Sequence, residues 1–447
     1  MRMAGSSVGV VGGGVLGMTV ALRLAQQGHQ VTLLESAPSI GGLASPEAIG
    51  DATWDRFYHV MLLSDRHLVG LLDELGLTQN AHWRETRTGF YGDGRFHEMS
   101  SSLDFARFPL LTLAEKARLA ATILHASRVR NPMPLEQEPV ERWLRRWSGD
   151  RVFERMWLPL LRSKLGENYR IASAAFLWAI IARLYAARRS GLKRELFGHV
   201  DGGYATILAA LAGRLDSAGV TTRAGARVQQ VRRVDRQPVI ELAGGETCAF
   251  DRVVLTVPCP TVARICPGLS QAEHDRLNAV VYQGIICGSF LLSRPLGGYY
   301  VTNIVDEGFP FTGVIEMTSL VDPATFGGRT LVYLPRYLAQ NAPGWAQDDA
   351  WHRAQFLAGL QRMYPDLREE HVVAANVSRA RDVLAVTTLD YSSRCLPPLR
   401  TSLPGVYVVN SAQIAHGTLN VNETLALAER QAAALAAEWS GEALAAA

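Results

Sequence analysis

A short β-branched run followed by closely spaced glycines constrains this 447-residue chain more than any other feature. Val8–Glu35 predicts a buried strand, a glycine turn, a helix and a second strand that ends in an acid. In its G-x-G-x-x-G pattern, Gly12 permits the turn, Gly14 lets backbone N–H groups approach a pyrophosphate, and Gly17 lets the helix pack closely. Glu35 falls where a carboxylate accepts hydrogen bonds from an adenosine ribose. The segment therefore predicts a dinucleotide site in an α/β fold.

Further glycine-rich segments and buried strands follow along the chain. The pair in GGLA (41–44) is not part of a plain nicotinamide-binding fingerprint. The segment DGGY (201–204) precedes a helical stretch, and AGARV (224–228) comes after it. FDRVVLTVP (250–258) and GVYVVN (405–410) are typical of buried strands.

Together these segments resemble the flavin amine oxidase and protoporphyrinogen oxidase superfamily of FAD-dependent oxidoreductases, whose relatives include carotenoid desaturases and UDP-galactopyranose mutase. The resemblance covers nearly the whole chain and is most specific at Val8–Ala44 and at the C-terminal strand and helix. It implies an α/β two-dinucleotide-binding-domain flavoprotein, with a Rossmann-like FAD domain and an interleaved α+β substrate domain. The implied FAD-binding domain is discontinuous and comprises 1–62, 198–275 and 380–447, and the substrate domain comprises 63–197 and 276–379.

The resemblance also implies where FAD binds. It places the cofactor on Gly12, Gly14, Gly17, Glu35, Gly41, Gly42, Leu43, Ala44, the backbone of Val228, Ser411 and Asn422. In the family, the helix that begins near Asn422 directs its N-terminus at the flavin N1–C2=O edge, where negative charge develops on reduction. Ser411 stands where many relatives have an acid, so it would contact FAD without charge. We expect non-covalent FAD because no cysteine stands at the spacing used for covalent attachment.

Two residues are candidates for acid–base catalysis. His59 follows the second glycine pair and should run near the flavin, although it could equally hold a loop through a backbone hydrogen bond. Glu316 lies between Ile315 and Met317 on a predicted strand, where an unpartnered carboxylate would be costly to bury. It is a candidate base or ligand for a substrate cation. Relatives often carry histidine at the position of Met317.

Four residues are candidates for substrate binding. Tyr58 adjoins His59, and Arg336 could clamp a carboxylate or phosphate, although a structural ion pair is an equal alternative. Tyr391 and His416 lie on segments expected to frame the flavin. No lysine follows Lys193, whereas amine oxidases of the superfamily typically place a substrate-domain lysine that holds a water against flavin N5. This departure weakens the case for simple amine oxidation.

The resemblance leaves three functions open. The leading one is an FAD-dependent oxidase, dehydrogenase or desaturase that takes hydride from a small organic or lipophilic substrate onto flavin N5. The alternative is a non-redox flavoenzyme such as a UDP-sugar mutase-like isomerase. A flavin-binding protein without catalysis is the third, because Ser411 and Met317 depart from the family pattern.

Composition excludes other classes of function. The net charge of +3 is too small to indicate a nucleic-acid partner, and the five cysteines show no metal-ligand spacing. The apolar N-terminus belongs to the glycine fingerprint rather than to a signal peptide. No apolar run reaches the roughly 18 residues of a spanning helix. We therefore expect a cytoplasmic protein with a small-molecule substrate and no metal site; the oligomeric state stays open.

The first insertion is predicted to be mainly helical. Thr112 and Glu115 form a capping-box pattern, and Asp93-Gly94 predicts a hairpin turn. The segment 174–197 combines apolar residues with a basic end. It predicts a core helix of the substrate domain, and peripheral contact with a membrane surface is the alternative.

Overall fold

The computed structural model describes residues 5–188 and 196–446. These residues form the strands β1 Ser7–Val11, β2 Gln30–Leu34, β3 Pro46–Ile49, β4 Ala52–Asp55, β5 Met61–Leu62, β6 Ala81–Glu85, β7 Thr88–Gly92, β8 Arg95–Glu98, β9 Leu196–Val200, β10 Thr221–Arg223, β11 Val228–Val234, β12 Gln237–Leu242, β13 Thr247–Ala249, β14 Arg252–Leu255, β15 Tyr282–Leu292, β16 Val301–Ile304, β17 Gly313–Glu316, β18 Thr330–Ala339, β19 Val372–Ala385 and β20 Val406–Val408.

Helices also occur throughout the described residues, and the longest of them lies at the C-terminus. They are α1 Val15–Gln26, α2 Arg66–Glu74, α3 Ser102–Arg107, α4 Leu113–Arg128, α5 Val140–Ser148, α6 Asp150–Val152, α7 Leu158–Leu165, α8 Ala174–Arg188, α9 Tyr204–Ser217, α10 Cys259–Ile265, α11 Gln271–Asn278, α12 Asp349–Met363, α13 Tyr391–Arg394 and α14 Val421–Ala446. A π-helical turn at 153–157 joins α6 to α7.

A five-stranded parallel sheet carries the first glycine turn. Its strand order is β10-β2-β1-β14-β20. Val10 on β1 and Leu33 on β2 pack on one face against α1, α9 and α14. Val11 and Leu34 pack on the other face against β11, β12 and α10. Because both faces are covered, these strands are apolar and β-branched, as the sequence predicts.

Gly17 sets how closely α1 lies on β1. A Cβ atom at Gly17 would lie 1.8 Å from the carbonyl oxygen of Gly12, so no side chain fits there. Gly12 itself has a φ of +110°, which L-residues rarely adopt. The first and third glycines of the fingerprint are therefore required by the fold itself.

A second, seven-stranded sheet has the order β19-β15-β18-β17-β16-β7-β8 and is antiparallel except between β16 and β7. Its β7–β8 hairpin turns at Asp93 and Gly94, which both have positive φ, and this confirms the predicted turn. Helices α4, α5 and α8 pack together beside this sheet. The predicted capping box is also confirmed, because Thr112 and Glu115 cap α4 reciprocally.

The predicted domain boundaries fall inside continuous elements. The boundary at 197/198 lies within β9, the one at 275/276 within α11 and the one at 379/380 within β19. β19 pairs with β15 as far as Ala385, so the strand continues into a segment assigned to the FAD-binding domain. The division into two domains stays a prediction. Its boundaries would have to move to the ends of β9, α11 and β19.

The first half of the 174–197 segment lies in the core, where Phe176 and Ile181 on α8 pack with Trp143 and Leu165. Its basic end at 189–195 lies outside the described residues. None of the described helices is hydrophobic over a stretch sufficient to traverse a bilayer.

Gly17→Ala tests the packing of α1 on β1. We expect it to lower the free energy of unfolding by about 3 kcal/mol or more, because the methyl group meets backbone that cannot move aside. Gly213→Ala is the matched control, since Gly213 lies inside α9 with no atom within 4 Å of its Cβ position. The control should raise stability by about 0.5–1 kcal/mol. Urea unfolding of both variants checks this, and equal effects would contradict it.

Candidate active site

The two glycine segments predicted to bind one cofactor lie in contact. The backbone N–H of Gly41 donates to the carbonyl of Gly13 at 2.7 Å. A Cβ atom on Gly42 would lie 3.0 Å from the Cα of Gly14, which is a tight contact, and Gly42 has a φ of +61°, which L-residues rarely adopt. Beyond the pair, Leu43 is partly exposed and Ala44 is buried. The structure thus brings the predicted glycines together.

The N-terminus of α1 fits a pyrophosphate. Its N-cap residue, Gly14, offers no side chain, and its first turn carries no acid. The nearest atom to a Cβ position on Gly14 is the Gly42 Cα at 3.9 Å, so the space above this helix end is open. Free N–H groups and the positive end of the helix dipole bind anions at such a position.

Glu35 and the segment before β11 flank the same turn. The Glu35 carboxylate accepts hydrogen bonds from the N–H groups of Gly13 at 2.6 Å and Ala37 at 2.7 Å. The N–H of Ala226 donates to the Glu35 carbonyl at 2.8 Å, which brings Val228 to this edge of the sheet. A carboxylate has about four lone-pair positions, so Glu35 can still accept from a ribose hydroxyl.

Ser411 and Asn422 occupy different environments. Ser411 begins a 3₁₀ turn after β20 and is half-buried, and its hydroxyl bonds to no other group in the described part of the chain. The Asn422 side-chain oxygen instead accepts from the N–H groups of His67 at 2.9 Å and Leu68 at 3.3 Å, at the start of α2. The side-chain oxygen of Asn422 is therefore occupied by the start of α2, whereas its backbone remains available to a cofactor.

Tyrosines cover the face of the seven-stranded sheet that meets the 54–60 segment. The Tyr58 hydroxyl lies 2.8 Å from the Tyr337 hydroxyl. Tyr333, on the same face of β18, donates to the carbonyl of Asp55. The ammonium group of Lys164 on α7 lies 3.9 Å from the centroid of the Tyr337 ring.

His59 lies in a different, largely buried cluster. Its Nδ1 is 3.9 Å from the Asp55 carboxylate, and its ring packs against Tyr204 with centroids 4.7 Å apart. Burial lowers the pKa of His59 to about 4, so the ring is neutral at pH 7. Burial raises the pKa of Asp55 to about 7, although the N–H of Tyr204 donates to its carboxylate at 2.8 Å.

Glu316 and Arg336 do not reach this face, which corrects the expectation that they join one site with Tyr58. Successive side chains of a strand point to opposite faces, so Arg336 lies opposite Tyr337 and Glu316 opposite Ile315. Both Glu316 oxygens accept from the backbone N–H groups of 296–298 at 2.9–3.2 Å, and burial raises the pKa of Glu316. Arg336 instead lies near the ring of Trp351 on α12, 6.0 Å from its centroid.

His416 and the residue after Tyr391 are bound to a buried carboxylate that the sequence analysis did not identify. Glu136, which is 2% exposed, lies 2.6 Å from Nε2 of His416 and also accepts from both donors of Ser392. The Tyr391 hydroxyl donates to the carbonyl of Ala412 at 2.8 Å. These contacts hold the chain on either side of the 3₁₀ turn that begins at Ser411.

Two further residues were missed, Lys164 and Gln283. The lysine expected from the family would lie in the second insertion, 276–379, whereas Lys164 lies in the first, 63–197. Gln283 is completely buried. Its signal in the sequence is that a polar residue stands just before the apolar run at 285–287. No local pattern in the sequence pairs these two positions.

Asp55→Asn tests the buried carboxyl group. In wild type the folded pKa is raised from 3.8 to about 7, so Asp55 contributes stability below pH 3.8 that is lost as the pH rises through 7. Asparagine does not ionise, so the variant does not lose stability in this way. The free energy of unfolding of the variant minus that of wild type should therefore rise between pH 4 and 7 by up to about 4 kcal/mol. Urea unfolding across this range measures the difference, and a difference independent of pH would contradict the prediction.

Two characterised proteins are similar in sequence. One is flavin-dependent L-tryptophan oxidase of Lentzea aerocolonigenes, 28% identical over 123 residues, or 27% of this chain and 26% of that protein. The other is hydroxyneurosporene desaturase of Cereibacter sphaeroides, 27% identical over 293 residues, or 57% of this chain and 56% of that protein. The chain thus spans about a quarter and just over half of the length of these relatives.

Solved structures are similar over nearly the full chain. A candidate protoporphyrinogen oxidase from Exiguobacterium sp. 255-15 has a TM-score of 0.76 at 18% identity, over 98% of this chain and 100% of that chain. Putrescine oxidase bound to putrescine has a TM-score of 0.73 at 18% identity, over 97% and 99%. Reduced UDP-galactopyranose mutase has a TM-score of 0.73 at 15% identity, over 96% and 94%. These likenesses confirm the predicted α/β fold.

The family model for flavin-containing amine oxidoreductases matches residues 17–436. This match covers most of the chain and confirms both the predicted family and its flavin cofactor. The chain therefore belongs to the flavin-containing amine oxidoreductase family.

Proposed function

We propose that this protein is an FAD-dependent oxidase or dehydrogenase that oxidises a C–H bond next to nitrogen, oxygen or an extended π system. The observation that carries the proposal is the contact between the glycine pair at 41–42 and the turn at 12–14, beside an uncapped helix N-terminus. Bound FAD would supply the hydride acceptor at N5. We propose that the cofactor is held without a covalent bond.

The proposed FAD site uses most of the predicted residues. The turn at 12–17 and the N-terminus of α1 would bind the pyrophosphate, and Glu35 would bind the adenosine ribose. The backbone near Val228, which lies beside Glu35, would meet the adenine. Ser411 and the first turn of α14 would face the isoalloxazine.

The substrate is proposed to bind on the face of the seven-stranded sheet that carries Tyr58 and Tyr337. The chain reaches this face soon after the glycine pair at 41–42. Arg56 connects the two, because its side chain donates to the carbonyl of Gly42 at 3.1 Å. The hydroxyl groups of Tyr58 and Tyr337 would orient a polar group of the substrate. The helical insertion, through α7, would cover this face and exclude water.

The names of the relatives favour net oxidation over isomerisation. Of the two relatives in sequence, an L-tryptophan oxidase acts on a compound with a C–H bond next to nitrogen, and the other is a desaturase, which also carries out a net oxidation. The mutase shares only the fold, at 15% identity. We therefore rank an isomerase below an oxidoreductase.

Anaerobic reduction tests the reaction class. Primary amines, L-amino acids and a polyene are each mixed with the flavin-loaded protein, and loss of the flavin absorbance near 450 nm is followed. Bleaching by one of them, reversed on admission of oxygen or another acceptor, supports the proposal. Turnover of a UDP-sugar only after reduction with dithionite, with no bleaching by any compound, would overturn it in favour of the isomerase.

Gly14→Ala tests the proposed cofactor site. Its φ of −72° and ψ of 173° are allowed for alanine, and the methyl group would meet no protein atom closer than 3.9 Å. We expect the FAD-free protein to keep its free energy of unfolding within about 0.5 kcal/mol. FAD affinity should fall about 100-fold, because the methyl group occupies the space proposed for the pyrophosphate.

The matched control is Gly213→Ala, which should bind FAD as wild type does. Equilibrium titration with FAD, followed by flavin fluorescence, gives the affinities. Unchanged FAD affinity in Gly14→Ala would show that the pyrophosphate does not bind at this helix end.

A further inference from the structure

A group of hydrogen-bond donors lies where α7 crosses the seven-stranded sheet. We call Lys164, Tyr58, Tyr337 and Gln283 the Lys164 cluster. The ammonium group of Lys164 lies over the ring of Tyr337, whose hydroxyl lies 2.8 Å from that of Tyr58. Ile285 is the partner of Tyr337 in the pairing of β15 with β18, and Gln283 points to the same face two residues earlier. All four side chains therefore lie on the face proposed to bind substrate.

Lys164 is half-buried and has no acidic partner. Across 5–188 and 196–446, no carboxylate oxygen lies within 4.0 Å of its ammonium group. The π face of Tyr337 is its nearest stabilising contact, worth about 0.5–2 kcal/mol. A cation held this way retains most of its capacity to bind an anion.

Gln283 presents an unsatisfied donor on the same face of the sheet. Its side chain is completely buried, and its Oε1 accepts from the side chain of Asn168 at 3.3 Å. Its Nε2 has no acceptor among the residues that the structure describes. A buried donor left unpaired costs about 1–3 kcal/mol, which a bound acceptor would recover. The position that a Cβ atom would take on Gly166 lies 3.9 Å from Nε2, and glycine leaves that position empty.

The cluster therefore offers one positive charge, an amide N–H donor and two hydroxyl groups, and no carboxylate. A group with several acceptor oxygens and one negative charge matches it best. An ammonium group, as in a simple amine, would meet only repulsion from Lys164. We propose that the Lys164 cluster binds the carboxylate of the substrate, so that the protein acts on an organic acid such as an amino acid. This inference rests on the proposed function, which places the substrate on this face.

Pairs of ligands that differ only in charge test the inference. Benzoate is compared with benzamide, and indole-3-acetate with indole-3-acetamide, by calorimetric titration of the flavin-loaded protein. In wild type at least one acid should bind about tenfold more tightly than its amide, because only the acid carries the charge. In Lys164→Met the ratio of the affinity for the acid to that for its amide should fall to near one. In Lys164→Arg the preference for the acid should persist.

Lys116→Met is the matched control, because Lys116 lies on the exposed side of α4 and donates to the carbonyl of Ala106. It should keep the preference of wild type. Gln283→Glu is a second variant of nearly the same shape. It replaces the unsatisfied donor by an acceptor, so it should weaken acid binding about tenfold and leave amide binding unchanged.

Two results would overturn the inference. One is the absence of any preference for the acids in wild type, and the other is a preference that survives in Lys164→Met. FAD content and anaerobic bleaching are measured on the same preparations. Normal bleaching by a substrate without a carboxylate, together with either result, would reject the carboxylate site and keep the proposed oxidoreductase.

Discussion

The contact between the two glycine segments is the constraint on which the rest of the structure depends. At Gly14 and Gly42 the backbones approach so closely that a Cβ atom on Gly42 would lie 3.0 Å from the Cα of Gly14. From there the chain enters β3, where the Glu47 carboxylate accepts from the hydroxyl groups of Ser289 and Ser378 on the seven-stranded sheet. A single short stretch of chain therefore fixes the parallel sheet, the cofactor turn and the substrate-facing sheet relative to one another.

The next turn of the chain buries a carboxyl group and an imidazole where water cannot stabilise either charge. Asp55 receives the N–H of Tyr204 at the start of α9, and the carbonyl of Asp55 receives the Tyr333 hydroxyl. Burial shifts the pKa of Asp55 up and that of His59 down, so both shifts favour the neutral form. The contributions of the two groups to stability oppose each other between pH 4 and 7. The pair thus joins three elements without a net buried charge.

Local patterns predicted what depends on neighbouring residues, and could not predict what depends on distant ones. The fingerprint from Gly12 to Glu35 was predictable because each glycine answers a steric need within one turn. The two-residue period of a strand also places Arg336 and Tyr337 on opposite faces, so this separation was predictable from the sequence. Contacts such as Glu136–His416 and Asn422–His67 join positions about 280 and 355 residues apart. Nothing in either segment alone records its partner, so the anchoring of His416 and the side-chain role of Asn422 emerged only from the fold.

The two adjacent candidates Tyr58 and His59, which follow β4, point in different directions. Tyr58 points to Tyr337 and the sheet, whereas His59 points to Tyr204 on α9. A substrate held by the Tyr58 hydroxyl therefore lies across the chain from the imidazole. Since the neutral His59 packs between Asp55 and an aromatic ring, its position suits holding the segment in place better than exchanging a proton with substrate. The chemistry then depends on the flavin and on how precisely the sheet face orients the reacting C–H bond, and the proposed role of the Lys164 ammonium group on α7 is in that orientation.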